Sequence, residues 1–254
     1  SAKKTVSGYW YDEAAAQRAV DFFSLFLRHV KGELAGQAFK LLDWQEQKII
    51  RPLFGWKRPD GTRKYRRCYV EIPRKSGKST ICAGIGLYLT FADKEPGAEV
   101  YSAASDRDQA AIVFDVAKEM VINDEKLRGM AQVYRRSIVV SKTSSFYKVL
   151  SADAFSKHGL NAHGIIFDEL HAQPNRELWD VLTTSTGARR QPIIIAITTA
   201  GFDRHSICWE MHDYACKVRD KIIDDPEFLQ VIYAAPMEAD WREDECYKCY
   251  ADDY

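Results

Sequence analysis

Two short stretches of the 254-residue sequence combine the residue types that handle phosphate groups and water. In Ile72-Pro73-Arg74-Lys75-Ser76-Gly77-Lys78-Ser79-Thr80 an apolar segment runs into a basic, glycine-containing turn. Such a turn, entered from a strand and leading into a helix, surrounds phosphates with backbone N–H groups and the positive end of the helix dipole. Arg74, Lys75, Ser76, Gly77, Lys78, Ser79 and Thr80 are therefore read as ATP-binding, with Lys78 on the β- and γ-phosphates. The Ser79 hydroxyl would ligate Mg²⁺. The stretch departs from G-x-x-x-x-G-K-[ST] at its first position, where Ile72 replaces glycine, so an ordinary strand–turn–helix is the competing reading. About 90 residues on, Ile165-Ile166-Phe167-Asp168-Glu169 is an apolar run ending in two carboxylates. Adjacent residues at a strand end project differently, so Asp168 would serve the metal shell and Glu169 would polarise the attacking water as a general base.

The elements that must position these groups alternate along the chain. Strand Arg67–Ile72 leads through the glycine turn to helix Lys78–Phe91, strand Glu99–Ala103 and helix Asp106–Ile122. Strand Gly164–Phe167, helix Asn175–Leu182, strand Pro192–Thr198, helix Ser206–Ile222 and strand Phe228–Ala234 follow. This order implies an α/β fold with a mostly parallel sheet between two helical layers. Ile193-Ile194-Ile195-Ala196-Ile197 is apolar on both faces, as a central parallel strand is. The β-rich stretch Gln132–Leu150 predicts a hairpin inserted in the sheet, turning around Ser141-Lys142-Thr143. Upstream, apolar residues at helical spacing predict a helix from Asp12 to about Lys31, ending at Gly32. Asp43 and Glu46 form a D-x-x-E variant of the capping box and predict a second helix start. Lys57–Arg67 reads as a loop or hairpin. Its Lys57, Arg58, Arg63, Lys64, Arg66 and Arg67 are taken as a solvated face, with tracking of a DNA backbone as the alternative. Two further features suit the same cleft: Thr198-Thr199-Ala200-Gly201, whose hydroxyls could sense a γ-phosphate, and Gln45, whose carboxamide could read an adenine edge.

Taken in order, these residues resemble the ATPase domain of the large terminase subunit of tailed bacteriophages, the motor that packages DNA. The resemblance rests on Leu42-Asp43-Trp44-Gln45, Pro73 to Ser79, Ser102-Ala103-Ala104 with Asp108-Gln109-Ala110, Phe167 to His171, and Ile197 to Gly201. It implies a P-loop NTPase fold of the RecA/ASCE-like kind and explains the missing first glycine, since large terminases carry a deviant phosphate turn with an arginine where Arg74 stands. By resemblance, Gln45 contacts adenine, Arg74 joins Glu169 in the catalytic set, and Thr198 and Thr199 couple hydrolysis to motion. The resemblance further implies MgATP as substrate with its Mg²⁺, double-stranded DNA, a portal protein and a small terminase subunit as partners, and the host cytoplasm as location. It implies a homo-oligomeric ring, a pentamer, whose neighbouring subunit supplies a cation, the isolated domain being monomeric. Lys157-His158-Gly159 occupies the neighbourhood where some members place that cation; Arg107, Arg128, Arg135, Arg136, Arg189 and Arg190 are also available.

The bulk properties fit one large domain, or one domain plus a small appendage. Lys plus Arg and Asp plus Glu both total 36, so no net field announces a nucleic-acid partner. No apolar run reaches the roughly 20 residues that span a bilayer. Residues 1–40 are read as an N-terminal helical segment, 41–235 as the ATPase core and 236–254 as an acidic linker toward an absent C-terminal nuclease domain, so no nuclease activity is expected. Cys246 and Cys249 form a single C-x-x-C without the second pair that a zinc site needs. The irregularly spaced His158, His163 and His171 read as parts of polar networks rather than a metal cluster. Two rivals remain: a helicase-like ATPase lobe, since Asp168-Glu169-Leu170-His171 spells D-E-x-H, and a non-catalytic binding module with a relic nucleotide fold.

Overall fold

The computed structural model describes residues 8–73, 76–104, 107–150, 159–170, 177–199 and 206–233. Its elements are β1 (Trp10–Tyr11), α1 (Glu13–Phe26), a π-helical turn (Gln45–Ile50) running into α2 (Arg51–Gly55), β2 (Trp56–Lys57), β3 (Arg67–Glu71) and α3 (Lys78–Phe91). There follow β4 (Glu99–Ala103), α4 (Arg107–Asn123), α5 (Glu125–Met130), β5 (Gln132–Val133), β6 (Ser137–Val140) and β7 (Ser145–Val149). The chain continues through β8 (Gly164–Asp168), α6 (Glu177–Thr184), β9 (Ile193–Thr198), α7 (Ile207–Arg219) and β10 (Phe228–Ile232).

Eight strands form one sheet in the order β10-β3-β9-β8-β4-β7-β6-β5. Neighbours from β10 to β7 pair in parallel, and β6 and β5 add antiparallel strands at one edge. The predicted hairpin thus forms at the border of the sheet, as β6 and β7. Side-chain alternation sorts the strands into two cores. Ile193, Ile195 and Ile197 of β9, with Cys68, Val70 and Ile166, pack against α1 to α4. Ile194 and Ala196, with Tyr69, Ile165 and Phe167, pack against α6 and α7. All six residues of β9 are buried, each aliphatic side chain contributing about 1.5–3 kcal/mol relative to exposure. The expected three-layer α/β sheet is what the chain forms.

Several local expectations need correction. Helix α1 stops at Phe26 because Leu27 turns extended and fully buried, and the chain folds back through the bridge Arg28↔Ala38 to bring Phe39 beside it. The capping box at Asp43 and Glu46 does not form. Glu46 donates its N–H to the Leu42 carbonyl, its carboxylate is drawn 2.7 Å from Arg51, and Gln45 reaches back to the Leu42 N–H instead. The basic cluster is not a solvated face. Arg63 is 1% exposed and paired with Asp93, Arg58 pairs with Glu227, and Arg67 pairs with Asp225. The Lys64 ammonium lies over the rings of Tyr9, Trp56 and Tyr65. Of these cations Arg63 is buried, while Arg58, Lys64 and Arg67 are half-buried in their contacts.

Candidate active site

The ends of three adjacent strands lie level. In the parallel register Glu71 of β3 faces Thr198 of β9, and Ile197 of β9 faces Asp168 of β8. The turn after β3 and the start of α3 therefore stand beside the two carboxylates, at the carboxyl ends of the strands where open α/β sheets bind ligands. Gly77 caps α3 with φ 75°, a left-handed conformation that glycine adopts without a Cβ penalty. Its carbonyl accepts from the N–H groups of Thr80 and Ile81, which starts the helix, and Ser76 braces the turn by donating to the Pro73 carbonyl at 2.9 Å. Lys78 is buried, whereas Ser79 and Thr80 are half-buried at the same helix start. Arg74 and Lys75 lie outside the described residues.

Asp168 and Glu169 do project differently. Alternation along β8 turns Asp168 toward the α3 side, where it is 2% exposed and its Oδ1 has no hydrogen-bond partner. Burial, then the neighbouring charge of Glu169, pushes its carboxyl up to about 6 against the opposing pull of Lys78. Glu169 leaves the strand with φ 54°, uncommon for a residue with a side chain, while its N–H donates to the Ile197 carbonyl. Its carboxylate meets Lys78 Nζ at 3.0 Å and accepts from the Thr199 hydroxyl at 3.4 Å. Thr198 points to the other face, donating to the Thr199 carbonyl and lying 3.8 Å from Cys208 Sγ. Gln45 is buried, accepts the Leu42 N–H at 3.0 Å, and abuts the turn before α3: a Cβ on Gly77 would lie 3.7 Å from its Nε2. The structure thus brings together Gln45, Ser76 to Thr80, Asp168, Glu169 and Thr199, whereas the Thr198 hydroxyl, expected to sense a γ-phosphate, turns to the α7 side. Chemically, the arrangement offers a cationic group, a helix N-terminus and two carboxylates of different exposure around one strand-end cleft.

A divalent cation fits the donor set. Asp168 supplies a buried carboxylate oxygen lacking a partner, and Ser79 stands on the first turn of the adjacent helix. Among the described residues no three His, Cys, Asp or Glu side chains are grouped to hold a metal. Mg²⁺ needs no such cage, because it typically binds one or two protein oxygens and completes its shell with water and substrate phosphates. His163 is buried against Asp93 at 2.6 Å; His158, His171 and the Cys246–Cys249 pair lie outside the described residues.

The family model for the terminase large subunit, ATPase domain, matches residues 43–217, which include the turn, both carboxylates and the threonine pair. The chain belongs to that family. The large terminase subunit of Enterobacteria phage HK97 is 30% identical to this terminase domain over 229 residues, covering 88% of the chain and 43% of that protein. The crystal structure of the HK97 large terminase superposes with a TM-score of 0.78 at 28% identity, over 92% of this chain and 47% of that one. The ATPase domain of the Thermus phage P74-26 large terminase shares the fold, with a TM-score of 0.51 at 20% identity over 74% of this chain and 82% of that one. The terminase domain described here spans less than half the length of its HK97 relative.

Its arginines differ in what they can reach. Arg189 donates to the carbonyls of Asn161, Pro96 and Gly97, at the amino ends of the strands and away from the turn before α3. Arg128 and Arg190 are exposed, Arg128 on α5 and Arg190 beside Arg189. Arg135 and Arg136 form the β5–β6 turn, level with the carboxyl end of β7, and Arg107 opens α4 just after β4. What the residue-by-residue reading missed is Glu71, a carboxylate 3% exposed at the end of β3, together with its partner His212 on α7. The one signal was an acidic residue within Tyr69-Val70-Glu71-Ile72, an otherwise uncharged strand end.

Proposed function

We propose that this domain hydrolyses MgATP and that the hydrolysis drives translocation of double-stranded DNA into a viral prohead. Membership in the terminase ATPase family supports ATP as the substrate. The observation that carries the catalytic assignment is the Lys78–Glu169 pair at 3.0 Å, beside buried Asp168. Lys78 and Glu169 neutralise one another in this arrangement. An entering γ-phosphate competes for the Lys78 ammonium and frees the Glu169 carboxylate to orient and polarise a water molecule. The proton of that water passes to a Glu169 oxygen as the water oxygen bonds to the γ-phosphorus and the bond from that phosphorus to the β–γ bridging oxygen breaks, leaving ADP and inorganic phosphate. The backbone N–H groups of the turn and the α3 N-terminus hold the remaining phosphate charge. Ser79 and Asp168 would hold Mg²⁺, which when bound neutralises charge on the phosphate oxygens. Gln45, fixed by the Leu42 N–H, would present its amide to adenine, and Arg74 and Lys75 would add phosphate contacts.

Portal protein, small terminase subunit and a ring of identical copies belong to the same proposal. In such a ring a neighbour supplies a cation to the γ-phosphate; Arg107, Arg135 and Arg136 stand at the carboxyl end of the sheet, whereas Arg189 is held at the other end. Phosphate release by the purified chain, together with binding of a fluorescent ATP analogue, tests the reading. Glu169→Gln should bind the analogue but lose at least about 100-fold in turnover, and Lys78→Ala should lose binding as well. Equal phosphate release by the wild type and Glu169→Gln would instead indicate a relic nucleotide fold.

A further inference from the structure

On the α7 side of the sheet, the end of β3 carries a charge that phosphate binding does not use. Glu71 closes the strand that launches the phosphate turn, and its buried carboxylate accepts hydrogen bonds from Tyr69 Oη at 2.7 Å and from His212 Nδ1 at 2.8 Å. Burial pushes this carboxyl up, yet the bonds from His212 and Tyr69 and the His212 charge outweigh it and hold the group below its ordinary range. Apolar side chains at these positions would fasten α7 to β3 at least as well as a buried ion pair does. Stability alone therefore leaves the pair unexplained.

Its neighbours lead back to the catalytic cleft. One turn earlier on α7, Cys208 Sγ lies 3.9 Å from Tyr69 Oη and 3.8 Å from Thr198 Oγ1. Thr198 is level with Glu71 in the sheet, and its carbonyl accepts the Ile72 N–H at the mouth of the phosphate turn. From Thr198 the contacts continue through the Thr199 carbonyl and hydroxyl to Glu169, and from Glu169 to Lys78. A contiguous chain of polar contacts thus joins the phosphate site to the middle of α7.

We propose that Tyr69, Glu71 and His212 are positioning residues that transmit the state of the nucleotide site to helix α7, making α7 the output element of the domain. This rests on the reading of the phosphate turn as a nucleotide site. When a γ-phosphate takes Lys78, Glu169 shifts away from the ammonium, and the Thr199 hydroxyl bonded to its carboxylate shifts with it. Cys208 and Tyr69 feel that shift, and the Glu71–His212 pair keeps α7 joined to β3 so that the shift moves the helix. Contact continuity alone does not establish coupling; a response at one end that depends on the middle does.

Hydrogen exchange of residues 207–219 in the full chain, with and without a Mg²⁺-bound non-hydrolysable ATP analogue, supplies that test. In the wild type, nucleotide should change α7 exchange by about threefold or more. Glu71→Gln should bind the analogue within about twofold of wild type, lose the α7 response, and show kcat reduced about tenfold with KM for ATP little changed. Tyr69→Phe, which loses one hydroxyl and keeps its ring, should shift the same readouts in the same direction and carries the test if Glu71→Gln does not fold. A wild-type α7 that ignores bound analogue, or variants whose α7 responds as in wild type, overturns the link while leaving the nucleotide site intact. A wild-type chain that binds no analogue overturns both.

Discussion

Asp168 is held in a state that costs the free protein stability. Its carboxylate is buried, one oxygen lacks a partner, and Glu169 adds a second negative charge beside it. Replacing it with the isosteric, uncharged asparagine should raise the thermal midpoint of the nucleotide-free chain, by about 2–4 °C, while removing Mg²⁺-dependent turnover. A midpoint that falls would mean Asp168 makes a stabilising contact instead. The Glu71–His212 pair predicts a pH signature. His212 is raised above its ordinary 6.5, chiefly by its bond to Glu71, so its stabilising contribution is complete below 6.5 and fades as pH rises through the raised value. Glu71 is held below its ordinary 4.5, so its contribution is complete above 4.5 and fades as pH falls through the lowered value. The thermal midpoint of wild type minus that of His212→Gln should therefore be widest between these two ordinary values and shrink by pH 9; a pH-independent gap would exclude the ion pair. Lys78, Ser79, Asp168 and Glu169 were legible in the sequence because a strand end and a helix start fix their neighbours locally. Glu71 was not, because its partner lies 141 residues away and is brought to it only by the packing of α7 on β3.

Helix α3 must approach two layers at once, and its small residues allow it. A Cβ on Gly84 would lie 2.3 Å from Phe23 Cε1, whose ring is fully buried between α1 and α3. Gly84→Ala should destabilise the fold by about 1–3 kcal/mol through overpacking, read as a lower denaturation midpoint at unchanged slope. An unchanged midpoint would mean that α1 yields at little cost. The alternating strand and helix patterns placed β3, β4, β8, β9 and β10 and α3, α4 and α7 to within a few residues, since those segments bury continuous apolar faces. Element ends were less legible where tertiary contacts decide them. The helical spacing from Ala15 continues to Val30, yet burial of Leu27 against Phe39 turns the chain at Phe26. The Asp43–Glu46 box is a valid local pattern, but Arg51 takes Glu46 and Gln45 takes the Leu42 N–H. The Lys57–Arg67 cations looked solvated because their partners Asp93, Asp225 and Glu227 are distant in sequence.

At the scale of the whole molecule, the site presents one buried lysine, and Arg135 and Arg136 stand at the same end of the sheet. If a neighbouring copy completes it, specific activity should rise with protein concentration; a high rate independent of concentration would exclude a trans-acting cation. Arg189→Ala should leave that dependence intact and lower stability, because three backbone carbonyls lose their donor. Among the described residues no helix is long and apolar enough to cross a membrane. The family was legible in the sequence because its motifs occur in order along most of the chain. The most direct measurement is single-turnover phosphate release from MgATP by the wild type and Glu169→Gln at equal nucleotide occupancy. Release from the wild type with at least about a 100-fold loss in Glu169→Gln is the expected result; matching rates at matched occupancy would contradict an ATPase centred on Glu169.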